Sequence, residues 1–156
     1  MKKLFVLLVV VFTTCSISMA QPRAIGARLG LGVSASYQHS LGENMLQADL
    51  DLNGWWGLGL AATYNWVFPI SGNWNWYAGV GGGAGFYWYG GAWWGGSACY
   101  VGVAGMIGVE YSFNFPLQLS LDWRPIVGPS FGRGYVGFNM WGLYAGSIGL
   151  GVRYKF

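Results

Sequence analysis

The stretch Ser147-Ile148-Gly149-Leu150-Gly151-Val152-Arg153-Tyr154-Lys155-Phe156 decides the fold. Ile148, Leu150, Val152, Tyr154 and Phe156 are apolar, and the residues between them are small, polar or charged. Successive side chains of a β-strand point to opposite faces, so a period of two over this length describes a strand with one apolar side. Lipid against one face and a polar lumen against the other is what a strand of a membrane barrel requires.

The same period recurs upstream. Ile25, Ala27, Leu29, Leu31, Val33, Ala35 and Tyr37 alternate with Gly, Arg28 and Ser. Leu46, Ala48, Leu50 and Leu52 alternate with Gln47, Asp49, Asp51 and Asn53. Further alternating runs cover Trp56–Phe68, Trp74–Trp88, Val101–Phe113 and Leu117–Trp123. Aromatic residues gather at the ends of these runs, among them Trp66, Phe68, Trp74, Trp76, Tyr111, Phe113 and Tyr154, as amphipathic rings do at headgroup depth.

Composition agrees. Only 8% of residues are charged and 19% are aromatic, against about 25% charged in soluble chains. Glycines and polar residues nevertheless interrupt every apolar stretch after the first, so the chain is apolar on average and never in a block. That distribution suits an alternating barrel and not a helical membrane protein.

Met1–Ala20 reads as an export signal, with Lys2 and Lys3, an apolar run from Leu4 to Phe12 and a small-residue site at Ser18-Met19-Ala20. Cleavage is expected before Gln21, leaving 21–156 as one barrel domain. The apolar run is too short for a membrane helix, which needs about 20 residues. Phe12-Thr13-Thr14 fits poorly as the lead-in to a lipid-modified Cys15. The formal charge of +3 falls to +1 without the two leader lysines, which is no basis for nucleic-acid binding. Cys99 is then the one remaining cysteine, so no internal disulfide is expected.

The expected fold is all-β: an eight-stranded antiparallel transmembrane up-and-down β-barrel. The alternating runs give seven strands, whereas bacterial single-chain barrels have an even number. The eighth comes either from a tight hairpin at Gly30 and Gly32, which is preferred, or from a strand inside Ser130–Met140. With the last strand descending to the periplasm, Leu41–Asn44, Phe68–Asn73 and Ser112–Pro116 become periplasmic turns. Tyr87–Ser97 and Ile126–Met140 become outer loops, and Asn53-Gly54 an outer turn.

The final strand also resembles the signal by which the outer-membrane assembly machinery of Gram-negative bacteria recognises barrels, with Tyr154 and Phe156 as its aromatic positions. Asn75-Trp76-Tyr77-Ala78-Gly79, Gly105-Met106-Ile107-Gly108-Val109-Glu110-Tyr111, Leu119-Ser120-Leu121-Asp122-Trp123-Arg124-Pro125 and Val152-Arg153-Tyr154-Lys155-Phe156 resemble small outer-membrane β-barrel proteins of Bacteroidetes. The resemblance implies an eight-stranded barrel in the cell outer membrane and carries over no catalytic residue. Members often have an acid-rich loop near Tyr87–Ser97, where this chain has Gly and Trp.

Charges fall at inward positions: Arg28, Asp49, Asp51, Glu110, Asp122, Arg124 and Arg153, with Lys155. Arg23, Glu43 and Arg133 are placed outside strands. An eight-stranded barrel is just wide enough for its side chains to fill, and an unpaired buried charge is costly. The seven are therefore expected to pair with one another as a lumen network; an ion path is the competing reading. Lumen-facing glycines leave room for Tyr77 and Met106. In the outer loop, Trp88, Tyr89, Trp93 and Trp94 are expected to serve as surface aromatics for lipopolysaccharide, sugar or lipid.

His39, with Ser36, Ser40 and Glu43 nearby, raises a small lipid-modifying enzyme, an acyl hydrolase or transferase. One histidine and one thiol make a Cys/His metal site unexpected. Gly79-Val80-Gly81-Gly82-Gly83-Ala84 matches a dinucleotide fingerprint in letters only, because no helix follows to hold a pyrophosphate. The sequence thus points to a non-enzymatic outer-membrane barrel without cofactor, with a structural or surface-interaction role. Its expected partners are membrane lipid, lipopolysaccharide and, transiently, the barrel assembly machinery. The enzyme and a narrow pore are the alternatives.

Overall fold

The computed structural model describes residues 23–30, 32–52, 57–89, 95–132, 134–141, 143 and 147–156. Ten strands account for nearly all of them: β1 (Arg23–Leu29), β2 (Val33–Leu41), β3 (Asn44–Leu52), β4 (Gly57–Ser71), β5 (Trp74–Tyr89), β6 (Gly96–Ser112), β7 (Leu117–Trp123), β8 (Ile126–Gly132), β9 (Tyr135–Trp141) and β10 (Ile148–Lys155).

These strands build a closed antiparallel barrel of eight staves. β1 to β6 are consecutive neighbours, β6 continues to β7, β7 pairs β10, and β10 closes on β1. β8 carries the β7 stave onward, pairing the first half of β6, and β9 carries the β10 stave beside it. Closure removes the edges that an open sheet leaves unpaired.

The interruption between β7 and β8 has a local cause. Pro125 has no N–H to give to a ladder, yet its carbonyl still accepts from Gly105 N at 3.0 Å, and Arg124 N donates to Ser147 O at 3.2 Å. The stave is therefore bent rather than cut.

The register fixes the barrel's shape. From Leu29 the ladder passes through Val33, Leu52, Leu58 and Phe86 to Cys99 on β6. In the other direction it passes through Leu150 and Leu121 to Val109 on the same strand. One circuit thus shifts the register by ten residues, from 99 to 109. Such a stagger goes with strands tilted by roughly 35–45° and a lumen filled by side chains.

The eighth stave arises at the preferred place. The run from Ile25 to Tyr37 folds back at Gly30–Gly32, where Gly30 N donates to Gly32 O at 2.9 Å, giving β1 and β2. The turns at Leu41–Asn44 and Ser71–Trp74 are two-residue hairpins opened by Gly42 and Gly72, both with positive φ, which glycine adopts without penalty. These turns, the Phe113–Pro116 connection, the start of β1 and the finish of β10 share one end of the barrel. The last residues of β1, β3, β5 and β8 and the first residues of β2, β4, β6 and β9 face the other.

Three expectations need correction. Ile126–Met140 is not a loop but the β8–β9 hairpin, turning at Gly134 with φ 71. Its residues do alternate, but Pro125, Pro129 and four glycines among them hide the period. Secondly, Trp88 and Tyr89 belong to β5 and not to a loop, since the β5–β6 ladder extends to Tyr89 and Gly96. Arg23, expected outside the strands, opens β1.

The core is inverted relative to a soluble protein. Arg153, Tyr77, Gln47, Asn65, Thr63, Asp49, Asp122, Ser36 and Ser130 are its largest fully buried side chains. Leucine, valine, isoleucine and aromatic residues of every stave are exposed on the outer surface.

Candidate functional site

Inward positions of neighbouring staves project the lumen side chains at one another, and the ladder's stagger decides which of them meet. Arg124, just beyond β7, reaches across to β3. Its Nη1 donates to Asp49 Oδ2 at 2.7 Å, and its Nη2 donates to Asp51 Oδ1 at 2.7 Å and Oδ2 at 2.8 Å. Two carboxylates on one strand, two residues apart and so on the same face, hold one guanidinium. The chain of bonds runs on: Ser34 Oγ donates to Asp51 at 2.6 Å, Gln47 Nε2 to Asp49 at 2.8 Å, and Gln38 Nε2 to Gln47 at 2.9 Å.

A second pair joins β1 to β7. Arg28 Nε donates to Asp122 Oδ1 at 2.6 Å and Nη2 to Ser147 O at 2.6 Å, while Tyr77 Oη donates to Asp122 Oδ2 at 3.2 Å. Arg28 must cross β10 to do so, and it crosses above Gly149, where a Cβ would meet the guanidinium itself. On the same seam Arg153 reaches both ways from β10. Its Nε donates to Ser36 Oγ on β2 at 2.9 Å and its Nη1 to Ser120 Oγ on β7 at 2.6 Å. Gly26, the ladder partner of both Arg153 and Ser36, lies beneath the first of these reaches.

The expected pairing of all seven charges is therefore corrected in part. Arg28, Asp122, Arg124, Asp49 and Asp51 pair as ions; among the described residues Glu110 and Arg153 do not. Glu110 accepts instead from Asn75 Nδ2 at 3.1 Å and from Gln118 Nε2. The physical reason is position: side chains of like period but different register do not come opposite each other, and neutral amides and hydroxyls stand nearer. Asp49 Oδ1, Arg124 Nε and Arg153 Nη2 are buried without a hydrogen-bond partner.

Large side chains fill the remaining space by lying on glycines. Tyr77 lies on Gly108, and Tyr100 lies on Gly85 with its hydroxyl over Gly59 beside Asp51. Met106 takes another place, accepting from Thr63 Oγ1 at 3.2 Å in a cluster with Met45 and Tyr77. Tyr100, which the sequence reading did not single out, packs against Ala61, Ala104 and Ile126. The signal that could have found it was the glycine two positions away on its inward face and those opposite it.

The remaining candidates are dispersed. His39 points outward beside Tyr37, whose hydroxyl lies 3.4 Å from its Nδ1, while Ser36 points into the lumen. The strand's alternation puts these two on opposite faces, so they form no nucleophile–base pair. Trp88 faces outward and meets Phe86 edge-on at 4.8 Å. Trp93, Trp94 and the Tyr89 side chain lie outside the described residues, as does Met1–Ala20, where an export signal is expected. Tyr154 and Phe156 are exposed on the outer surface. At the end with the short turns, Phe68–Trp76, Trp74–Tyr111, Tyr111–Phe113 and Phe113–Phe115 form a run of ring contacts at 4.5–5.0 Å. Among the described residues no three His, Cys, Asp or Glu side chains converge as a metal set would.

The arrangement can thus hold strands together through ion pairs and hydrogen bonds across the lumen. Compared with known proteins, the chain matches no family model and no curated protein.

Proposed function

We propose that this chain is an integral outer-membrane β-barrel with a structural or surface-interaction role, closed by its ion-paired lumen and performing no chemistry. One observation carries the reading. Val103 is 67% exposed, Val80 54% and Leu150 45%, whereas Asp49 is 1% and Arg153 1% exposed. Soluble monomers rarely expose contiguous apolar patches beyond a few hundred Å², whereas here large apolar side chains are exposed along every stave, and a hydrocarbon layer is the solvent that rewards them. The ring contacts at the short-turn end fit one aromatic girdle.

Membrane lipid and lipopolysaccharide are the partners this surface suits, with the assembly machinery engaged through Tyr154 and Phe156. Trp93 and Trp94, in the connection opposite the short turns, are the residues offered to sugars or headgroups. The likeness of several tracts to small Bacteroidetes barrels supports the same reading.

The test is cell fractionation together with gel mobility. The protein should sediment with the outer membrane, resist extraction by carbonate, and migrate faster unheated than heated. Recovery as a soluble periplasmic protein without detergent overturns the proposal. Single-channel recording in planar bilayers separates the closed barrel, which passes no steady current, from a narrow pore.

A further inference from the structure

β9 has one ladder and one bare edge. It pairs β8 over Tyr135–Trp141. Its stave-mate β10 pairs β1, but β1 stops at Leu29, opposite Leu150, so no second strand among the described residues pairs β9, although Met140 O accepts from Leu143 N at 3.4 Å at its end. The barrel wall is therefore tall at β5, β6, β8 and β9 and low at the β1–β2 hairpin beside them. β1 has seven residues where β6 has 17.

The outward side chains of this edge strand are apolar and little covered: Val136 is 75% exposed, Phe138 66% and Met140 54%. Strands left at an edge are ordinarily guarded by charge, proline or a bulge. Tyr135-Val136-Gly137-Phe138-Asn139-Met140-Trp141 has no charged residue and no proline, and its register with β8 is unbroken.

Two environments are open to such a strand, and neither satisfies it alone. In hydrocarbon the apolar face is content, but the bare N–H and C=O groups have nothing to bond. In water the backbone is content, but the apolar face is not. A partner must bring both a backbone ladder and apolar side chains, which lipid tails cannot do.

We propose that this edge pairs with β9 of a second copy of the chain, antiparallel about a two-fold axis at Phe138. The strand is self-complementary in that arrangement. Phe138 meets its own copy, Val136 meets Met140 of the other, and no like charges are brought together, which would oppose pairing. A two-fold contact uses the same patch on both copies and closes after two, so it does not propagate into fibres.

The test uses disulfides in the full chain, folded in detergent, with Cys15→Ser and Cys99→Ser removing the native thiols. Strand residues directly opposite each other have Cα atoms about 4.5–5.5 Å apart, within the reach of a disulfide. Phe138→Cys should give an oxidised dimer at twice the monomer mass. A mixture of Val136→Cys and Met140→Cys copies should cross-link to each other, whereas Val136→Cys alone should not, being four residues out of register with itself. Leu60→Cys, outward on β4, is the control and should remain monomeric.

Equal cross-linking at Leu60 and Phe138, or none at positions 136, 138 and 140, overturns the proposal. So does a dimer joined through 136 to 136, which requires another register. Heat-modified mobility of each variant shows that it has folded, and the mixed pair keeps the test open if Phe138→Cys does not. Because the disulfides are scored in purified protein, their absence leaves the outer-membrane reading untouched, and a wrong location leaves the dimer untouched.

Discussion

The hydroxyl end of the Tyr77 ring lies over the lumen side of Gly108. A Cβ built on Gly108 would stand 2.6 Å from Tyr77 Cζ and 2.7 Å from Asp122 Cβ. Neither neighbour can give way readily, since Tyr77 is fully buried and its hydroxyl is held by Asp122. Gly108→Ala should cost about 1–3 kcal/mol, the range for overpacking a filled interior. Urea unfolding in detergent measures it, and in a Tyr77→Leu background the cost should shrink. Equal costs in both backgrounds would mean that the ring is not the obstacle.

Arg124 holds two carboxylates that have no other cation among the described residues. Arg124→Ala should destabilise the barrel by about 3–5 kcal/mol, the cost of leaving buried charge unpaired. Adding Asp49→Asn and Asp51→Asn should recover much of that loss, because amides need no counter-ion. Equilibrium unfolding of the single and triple variants decides it. A triple variant no more stable than the single would contradict the pairing shown.

Glu110, bonded to neutral amides, should behave differently from Asp122. Glu110→Gln keeps an acceptor for Asn75 and should cost less than Asp122→Asn, which leaves Arg28 without its carboxylate. The comparison is one of unfolding midpoints under identical conditions. The reverse order would show that Glu110 and Arg153 are coupled more tightly than their hydrogen bonds indicate.

The membrane reading predicts a depth dependence. Arg in place of Val80, midway along β5, should cost about 2–4 kcal/mol in bilayers, falling to about 0–1 kcal/mol for Leu41→Arg at the end of β2. Folding titrations into lipid vesicles measure both. Equal penalties would place both residues at the same depth.

Orientation has its own check. An epitope tag inserted at Gly91 should bind antibody on intact cells, and one at Glu43 only after the outer membrane is opened. The opposite result inverts the barrel.

How much of this was legible in the sequence depends on range. Alternation is local, so the faces of Arg28, Asp49, Asp122 and Arg153 could be read from neighbours two residues away. The extra turn at Gly30–Gly32 was legible because the first run was too long for one strand. β8 was not, and β9 was legible only as the less preferred strand inside Ser130–Met140, because glycine supplies no side chain pattern and proline no ladder donor to read. Partnership within the lumen was not legible either. Arg28 finds Asp122 across 94 residues and Arg124 finds Asp51 across 73, and the stagger that aligns them belongs to the closed ring, not to any strand. Glu110 shows the consequence: its inward face was evident, while its amide partners were not.

The crossing of Arg28 over Gly149 has a bearing on the order of events when the chain matures. β1 and β7 are not neighbours, and their ion pair spans the strand that separates them. Until β10 is seated, Arg28 and Asp122 face each other across a vacant slot, and Ser36 and Ser120 wait for an arginine that has not arrived. Lacing of the seam therefore requires β10 in place between β1 and β7, a long-range arrangement of the kind that folds slowly. A barrel without β10 in place would leave two bare strand edges and a set of unsatisfied polar groups together, and seating that strand would satisfy them all at the same moment.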